Sequence, residues 1–272
     1  MSLRRQGRRR SGRSRLTRVL VATWNVNSLK ARMPRVVAWL EEVRPDVVCL
    51  QETKMSEEAF PSADLAALGY DSVHVGEGRW NGVAILSRLG IDRPIANFAI
   101  GDPDREARIV TALCGGLTVV CVYVPNGRAL DHDHYQYKLR WMRQLRDHVA
   151  AISEPDGDLV VAGDFNIAPE DRDVWDPAAL EGSTHVSAAE RESLAALFDW
   201  GLVDVMRVHH PDAQIFSWWD YRDGSFHKGH GMRIDLVLAT APVSARSTWS
   251  IVDRNARKGD LPSDHAPVAI RC

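Results

Sequence analysis

Eight short runs of apolar, β-branched-rich residues punctuate the chain, at residues 19–26, 47–51, 82–86, 109–113, 119–124, 159–162, 234–239 and 268–270. Their length and composition suit strands buried inside a sheet. Between them, apolar residues recur three to four apart. Met33, Val36, Val37, Leu40 and Val43 line one helical face, which ends before Pro45. Leu139, Met142, Leu145, Val149 and Ile152 line a second. Ser187-x-x-Glu190 forms a capping box ahead of Leu194, Leu197 and Phe198, and Gly201 is a natural stop. Cys114-Gly115-Gly116-Leu117 predicts a tight turn that joins two runs into an antiparallel hairpin. Strands and helices are mixed throughout, and at least one strand pair is antiparallel. This pattern predicts an α/β fold with mixed sheets. No repeat or internal linker interrupts it, so residues 18–272 are expected to form one domain.

Charge is unevenly spread. The 272 residues contain 34 Lys+Arg and 36 Asp+Glu, a net charge of −2. Residues 1–18 hold eight arginines and no acid, so the remainder carries 26 basic against 36 acidic groups, or −10. Residues 1–17, rich in Arg, Ser and Gly, are expected to be a disordered arm on an acidic body. At 45% hydrophobic and 26% charged residues, the composition is that of a globular protein. No apolar run approaches the ~18 residues that cross a bilayer, and no signal-peptide segment follows the arm. The four cysteines (Cys49, Cys114, Cys121, Cys272) show no metal or redox spacing, and Cys49 and Cys121 lie within apolar runs. They read as reduced core residues, and the expected location is the cytoplasm.

The polar residues at the ends of the runs carry the functional signal, because strand ends hold side chains rigidly at a surface. The runs end in Trp24-Asn25-Val26-Asn27, Gln51-Glu52-Thr53-Lys54, Tyr123-Val124-Pro125-Asn126-Gly127 and Gly163-Asp164-Phe165-Asn166. Arg233-Ile234-Asp235 opens the seventh run, and Ser263-Asp264-His265 precedes the last. Any one of these is ordinarily a turn or a helix cap. Six together suggest a site. Glu52 and Asp264, with Asn25 nearby, offer hard oxygen ligands, and no His/Cys set at zinc spacing accompanies them. Mg²⁺, or Mn²⁺, is therefore the favoured ion. Asp164 can deprotonate a water, and Asn166 can hold that water or a phosphate oxygen. His265, its tautomer fixed by Asp235, can donate to phosphate, and Tyr123 adds another donor. These are the parts needed to hydrolyse a phosphate ester.

Taken in order, these segments resemble the exonuclease III family of DNA-repair nucleases, within the endonuclease/exonuclease/phosphatase superfamily. Asn81-Gly82-Val83-Ala84-Ile85 and Phe216-Ser217-Trp218-Trp219-Asp220-Tyr221-Arg222 extend the match, which covers roughly residues 18–271. The resemblance implies a four-layer α/β/β/α sandwich, with two mixed sheets face to face and helices outside both. It implies a monomeric, Mg²⁺-dependent phosphodiesterase that cuts duplex DNA 5′ to abasic sites. Exonuclease action in the 3′→5′ direction and removal of 3′-phosphates or other damaged 3′ ends would accompany that cut. Glu52 matches the principal metal ligand, with Asn25 and Asp264 as its neighbours. Asp164 matches the water-activating residue and Asn166 its partner. Tyr123 and His265 match phosphate contacts, and Asp235 the partner of His265. Tyr123 stands where superfamily members acting on inositol phosphates or sphingolipids, or as DNase I-like enzymes, typically carry His. Trp218, Met232 and Ile234 match an apolar pocket for a flipped-out sugar without its base. The same fold can also serve RNA or a small phosphate ester. An inert DNA-binding scaffold is disfavoured, because every matched position keeps a competent residue type.

Lys54, Asn126, Arg128, Lys138, Arg222 and Lys228 are candidates for contacts to DNA. Residues 131–134 and 227–230 are histidine-bearing segments read as solvated loops at the rim rather than zinc sites. Gly76-Glu77-Gly78-Arg79-Trp80-Asn81 reads as a loop able to enter a groove. The arm lies outside every matched segment, so its expected role is salt-sensitive, sequence-independent affinity for DNA in a nucleoid-associated enzyme. Removing residues 1–17 is expected to weaken DNA binding at low salt, read as a shallower salt slope of Kd, with an unchanged single-turnover rate.

Overall fold

The computed structural model describes residues 18–272, and the arginine-rich arm lies outside the described residues. The strands in chain order are β1 (Leu20–Asn25), β2 (Val47–Gln51), β3 (Asp71–Val75), β4 (Val83–Ser87), β5 (Asp92–Ala96), β6 (Ile109–Cys114) and β7 (Leu117–Tyr123). They continue with β8 (Leu159–Asp164), β9 (Leu202–Asp204), β10 (Trp218–Trp219), β11 (Gly231–Met232), β12 (Asp235–Thr240), β13 (Trp249–Val252) and β14 (Val268–Arg271). The main helices are α1 (Leu29–Val43), α2 (Ser62–Ala67), α3 (Asp133–Ile152) and α4 (Ala188–Trp200).

Two six-stranded sheets form, in the orders β13-β14-β1-β2-β4-β3 and β5-β6-β7-β8-β12-β9, and β10 and β11 make a small ribbon. Each large sheet has one parallel pair at its centre, β1/β2 in one and β7/β8 in the other, flanked by antiparallel strands. Three apolar layers hold the stack together. Between the sheets, Val21, Cys49 and Ile85 meet Ala112, Val119, Cys121, Val160 and Val237. On the outer face of the first sheet, Ala22, Val48 and Leu50 pack with Val36, Trp39 and Leu40 of α1. On the outer face of the second, Val120, Val122, Val161 and Leu236 pack with Trp141, Met142 and Leu145 of α3 and Leu194 and Leu197 of α4. Neighbouring residues such as Val21 and Ala22 go to opposite layers, and both layers are dry. Central strands therefore read as unbroken apolar runs rather than as alternations. The result is the expected four-layer α/β/β/α sandwich.

The capping box forms: Ser187 Oγ accepts from Glu190 N, the Glu190 carboxylate accepts from Ser187 N, and Gly201 ends α4 at φ 124°. The β6–β7 turn places Gly115 and Gly116 at φ 57° and 100°, both positive as a type I′ hairpin requires. All four cysteines are free and buried.

Several strands escape the sequence pattern, among them β3, β5 and β13. All three are sheet edges. The β5 sequence, Asp92-Arg93-Pro94-Ile95-Ala96, is largely exposed, and its pairing with β6 slips between Asp92 and Ile95. Proline and charge are tolerated on such an edge, and they erase the apolar signature that marks a central strand. Among the described residues, no helix is long and apolar enough to cross a membrane.

Candidate active site

The two parallel pairs point their C-terminal ends the same way. Asn25 is level with Gln51 at the end of β1/β2, and Tyr123 is level with Asp164 at the end of β7/β8. Asp235, the first residue of β12, pairs with Asp164 from the other side. His265 enters on the segment leading into β14, bridged to Trp218. Residues from both sheets thus meet where the strands run out, although they are scattered over some 240 positions of sequence.

Asn25 joins the two halves. Its Nδ2 donates to Glu52 Oε1 (2.8 Å) and to Asp164 Oδ2 (3.0 Å), while its Oδ1 accepts from Asn27 N (3.0 Å). Glu52 follows β2 in a left-handed conformation (φ 52°), and its other oxygen pairs with Lys54 Nζ at 2.8 Å. Lys54 also donates to Asn27 Oδ1 (2.6 Å). Asp164 is 1% exposed, and its Oδ1 accepts from Asn166 N (2.9 Å). Asn166, also left-handed (φ 51°), donates from Nδ2 to Val124 O (3.0 Å). The carboxylate of Asp235 accepts from His265 Nδ1 at 2.8 and 3.1 Å, which leaves Nε2 facing Asp164 Oδ2 at 3.8 Å. Glu52, Asp164 and His265 each present one ligand atom within 4.8 Å of the others, the one such group among the described residues.

The electrostatics follow from burial and crowding. Burial, reinforced by Asp235 and Glu52 and opposed by His265 and the Asn25 amide, lifts the Asp164 carboxyl to about 7. Burial alone would make His265 a weaker base. The carboxylates of Asp235 and Asp164 overcome it and raise the imidazolium to about 10. Burial and the neighbouring Glu52 carboxylate push the Tyr123 phenol well above its ordinary value, so it stays a hydrogen-bond donor. Burial works against ionisation of Asp264 too, but His265, Trp218 and Asn27 outweigh it and keep the carboxyl below its usual value.

The other expected residues occupy varied positions. Asp264 borders the group rather than joining it. Its Oδ2 accepts from Trp218 Nε1 (3.1 Å) and its Oδ1 from Asn27 Nδ2 (3.0 Å). Met232 and Ile234 lie in an apolar cluster with Ala168 and Val174, and half-buried Trp218 packs against it. Trp219 is wholly buried and belongs to the interior. Asn126 is exposed, and its Nδ2 reaches Asn166 Oδ1 (3.3 Å) and His185 Nε2 (3.1 Å). The Arg222 guanidinium is held by Asp220 on its own exposed loop. Lys138 is not a DNA contact. It is fully buried against Glu190, because α3 turns it inward. The histidines at 132 and 134 are spent locally: His132 caps α3, and His134 Nδ1 accepts from Gly127 N.

Asn27 and His185 escaped the sequence reading. Asn27 lies in the matched first segment, but nothing marked it as the partner of both Lys54 and Asp264. His185 has no motif around it. It holds a left-handed backbone (φ 80°), with Nε2 3.1 Å from Asn166 Oδ1. That backbone conformation is visible only in the coordinates.

Carboxylates able to hold a cation, gathered with a histidine at the joint ends of two sheets, are the arrangement of a metal-dependent phosphodiesterase. The sequence profile of the endonuclease/exonuclease/phosphatase family matches residues 22–265. Exodeoxyribonuclease III of Haemophilus influenzae is 31% identical, over 90% of this chain and 97% of that protein. An AP endonuclease structure from Archaeoglobus fulgidus superimposes with a TM-score of 0.90 at 36% identity, covering 93% of this chain and 98% of that one. The structure of a 3′ phosphatase, NExo, from Neisseria bound to product DNA hairpin gives 0.90 at 37% identity with the same coverage. The chain belongs to the endonuclease/exonuclease/phosphatase family, in its exonuclease III and AP endonuclease branch. It is a DNA-repair nuclease, a hydrolase of the phosphodiesterase type.

An acid whose pKa is raised by folding costs stability as pH climbs from its unfolded to its folded value. For Asp164 that window runs from about 4 to about 7. In EDTA, the stability of Asp164→Asn relative to wild type is expected to rise by on the order of 2–4 kcal/mol across this window. Thermal melts at stepped pH measure the difference, and a pH-independent offset contradicts the raised carboxyl.

Proposed function

We propose that the enzyme hydrolyses phosphodiesters in damaged duplex DNA with Mg²⁺, which Mn²⁺ can replace. Its cut falls 5′ to abasic sites, and 3′→5′ exonuclease and 3′-phosphatase action accompany it. The observation that carries this reading is the meeting of Glu52, Asp164 and His265 within 4.8 Å at the joint ends of both sheets. Glu52 would be the principal residue to hold the cation, with Asn25 and Asp264 beside it. A hard, oxygen-rich donor set of this kind fits Mg²⁺. When bound, the ion would supply neutralisation of the charge that builds on the phosphate. Asp164 takes the proton of the attacking water, a role suited to a carboxyl near 7. The Asn166 amide orients that water. His265, kept cationic by Asp235, donates from Nε2 to a non-bridging oxygen, and the Tyr123 hydroxyl donates to another. Trp218, Met232 and Ile234 line the side on which a base-less sugar is received, and Lys54, Asn126 and Arg222 lie along the DNA path. The substrate is double-stranded, residues 18–272 act as one domain, and the protein works as a cytoplasmic, nucleoid-associated monomer.

One observation favours a second balance of activities. The His185 ring stands against both the Asn126 and Asn166 amides and occupies space beside the water site. The Neisseria protein, 37% identical, is a 3′ phosphatase. In this balance, processing of 3′ ends outweighs incision at internal abasic sites. A single assay separates the readings: duplexes carrying an internal abasic analogue, a 3′-phosphate at a nick or an RNA strand, each with Mg²⁺ or EDTA. Mg²⁺-dependent hydrolysis of one or both DNA lesions, lowered roughly 10³-fold by Asp164→Asn, is the expected result. Hydrolysis of the RNA strand alone, or none in any duplex, contradicts the proposal.

A further inference from the structure

Behind the site lies a buried ion pair. Lys138 of α3 and Glu190 of α4 both have side chains 0% exposed, with Nζ and Oε1 2.5 Å apart. A buried pair is weak evidence for stability, since desolvation offsets much of its attraction. What else its atoms hold is therefore informative. The ammonium has three protons, and all three have acceptors: Glu190 Oε1, Asn166 O at 2.6 Å and Asn126 O at 3.2 Å. Two of those acceptors are main-chain carbonyls of the asparagines whose amides meet at the site. Glu190 in turn accepts from His185 N (2.9 Å), from the Thr184 hydroxyl (2.7 Å) and, through Oε2, from Ser187 N (3.1 Å). The Thr184 hydroxyl also lies 3.1 Å from Asn126 O. Gly127 makes the approach possible. Its φ is 94°, and a Cβ there would lie 3.2 Å from Lys138 Cδ and 2.7 Å from Thr184 Oγ1.

Three segments distant in sequence are thus fastened to one nitrogen and its counter-charge: the β7–α3 loop with Asn126, the turn after β8 with Asn166, and the entry to α4 with Thr184 and His185. We infer that Lys138, neutralised by Glu190, is the positioning residue of this nuclease, setting the Asn126 and Asn166 amides in the geometry that phosphate-ester hydrolysis requires. The inference rests on the reading of the site as a phosphodiesterase centre. Lys138 touches no reacting atom. It acts by fixing two backbone carbonyls, so its loss misplaces the amides while the carboxylates of Glu52 and Asp164 stay on their strands.

The test uses K138M/E190Q, which removes both charges yet keeps an oxygen at position 190 for Thr184 and His185, while the amide nitrogen faces the Ser187 hydroxyl. The substrate is whichever DNA lesion the wild type hydrolyses. The double variant is expected to lower kcat by about 10²-fold with a much smaller loss of DNA affinity in EDTA, Kd rising by at most about fivefold through the displaced Asn126 amide, whereas E190Q, which leaves both carbonyl bonds in place, keeps kcat within threefold. Hydrogen exchange supplies a readout independent of activity: residues 124–128 and 164–168 should exchange at least tenfold faster in the double variant while β1 and β2 are unchanged. A folded double variant with kcat within twofold of wild type overturns the inference, as does a parallel fall in kcat and DNA affinity. If the wild type hydrolyses no DNA, the functional reading fails, and exchange alone decides the positioning role. If K138M/E190Q does not fold, T184V removes the hydroxyl that donates to Glu190 and lies against the Asn126 carbonyl, loosening the same clamp with Lys138 and Glu190 both left in place. It should lower kcat several-fold at constant KM, and an unchanged kcat overturns the inference.

Discussion

One side-chain amide, that of Asn25, spans the seam between the two sheets and binds a carboxylate on each side of it. Its two N–H groups reach Glu52 at the end of the first sheet and Asp164 at the end of the second. Two carboxylates this close repel each other, and both are partly or wholly removed from water. A neutral double donor on a rigid strand end lets them share the site and fixes their separation. The inter-sheet core makes this possible. Val21, Cys49, Cys121 and Val160 pack tightly enough to bring the ends of β1/β2 and β7/β8 to one place. The same packing that stabilises the sandwich therefore assembles the site.

The electrostatic design is lopsided in a useful way. Glu52, Asp164, Asp235 and Asp264 crowd negative charge into the space from which a substrate phosphate, also negative, must be approached. Cationic His265 sits among three of these acids and is held charged by them. Lys54 rests on Glu52 and Asn27 at the mouth. Lys138 lies behind, satisfied by backbone carbonyls and Glu190, with no proton left to offer a substrate. A divalent cation at Glu52 would relieve the remaining excess, which ties catalysis to the metal. The acidity of the body is thus partly concentrated in this one cluster.

The sequence revealed central strands better than edges, and strand-end residues better than those supporting them. Asn25, Glu52, Tyr123, Asp164, Asp235 and His265 were legible because each closes or opens a buried apolar run, and such runs announce themselves. Edge strands such as β5 were not, since Asp92, Arg93 and Pro94 face solvent and follow no period. Lys138 read as a surface cation because lysine usually is one. Only the packing of α3 against α4, with three acceptors waiting, reverses that reading. His185 left no trace, because its position depends on a loop path that no local pattern encodes. Trp218 and Trp219 illustrate the same limit, as neighbours in sequence that end in different surroundings, one half-buried beside Asp264 and one wholly interior.

The central claim is that the cation-binding, water-activating and phosphate-holding groups form one site at the seam of the two sheets. Crystals soaked in Mn²⁺ and measured for anomalous scattering test it directly. A peak is expected at coordination distance, roughly 2.0–2.3 Å, from the Glu52 carboxylate and within the space bounded by Asp164 and His265. No peak there, or one seated only on acids elsewhere on the surface, would contradict it.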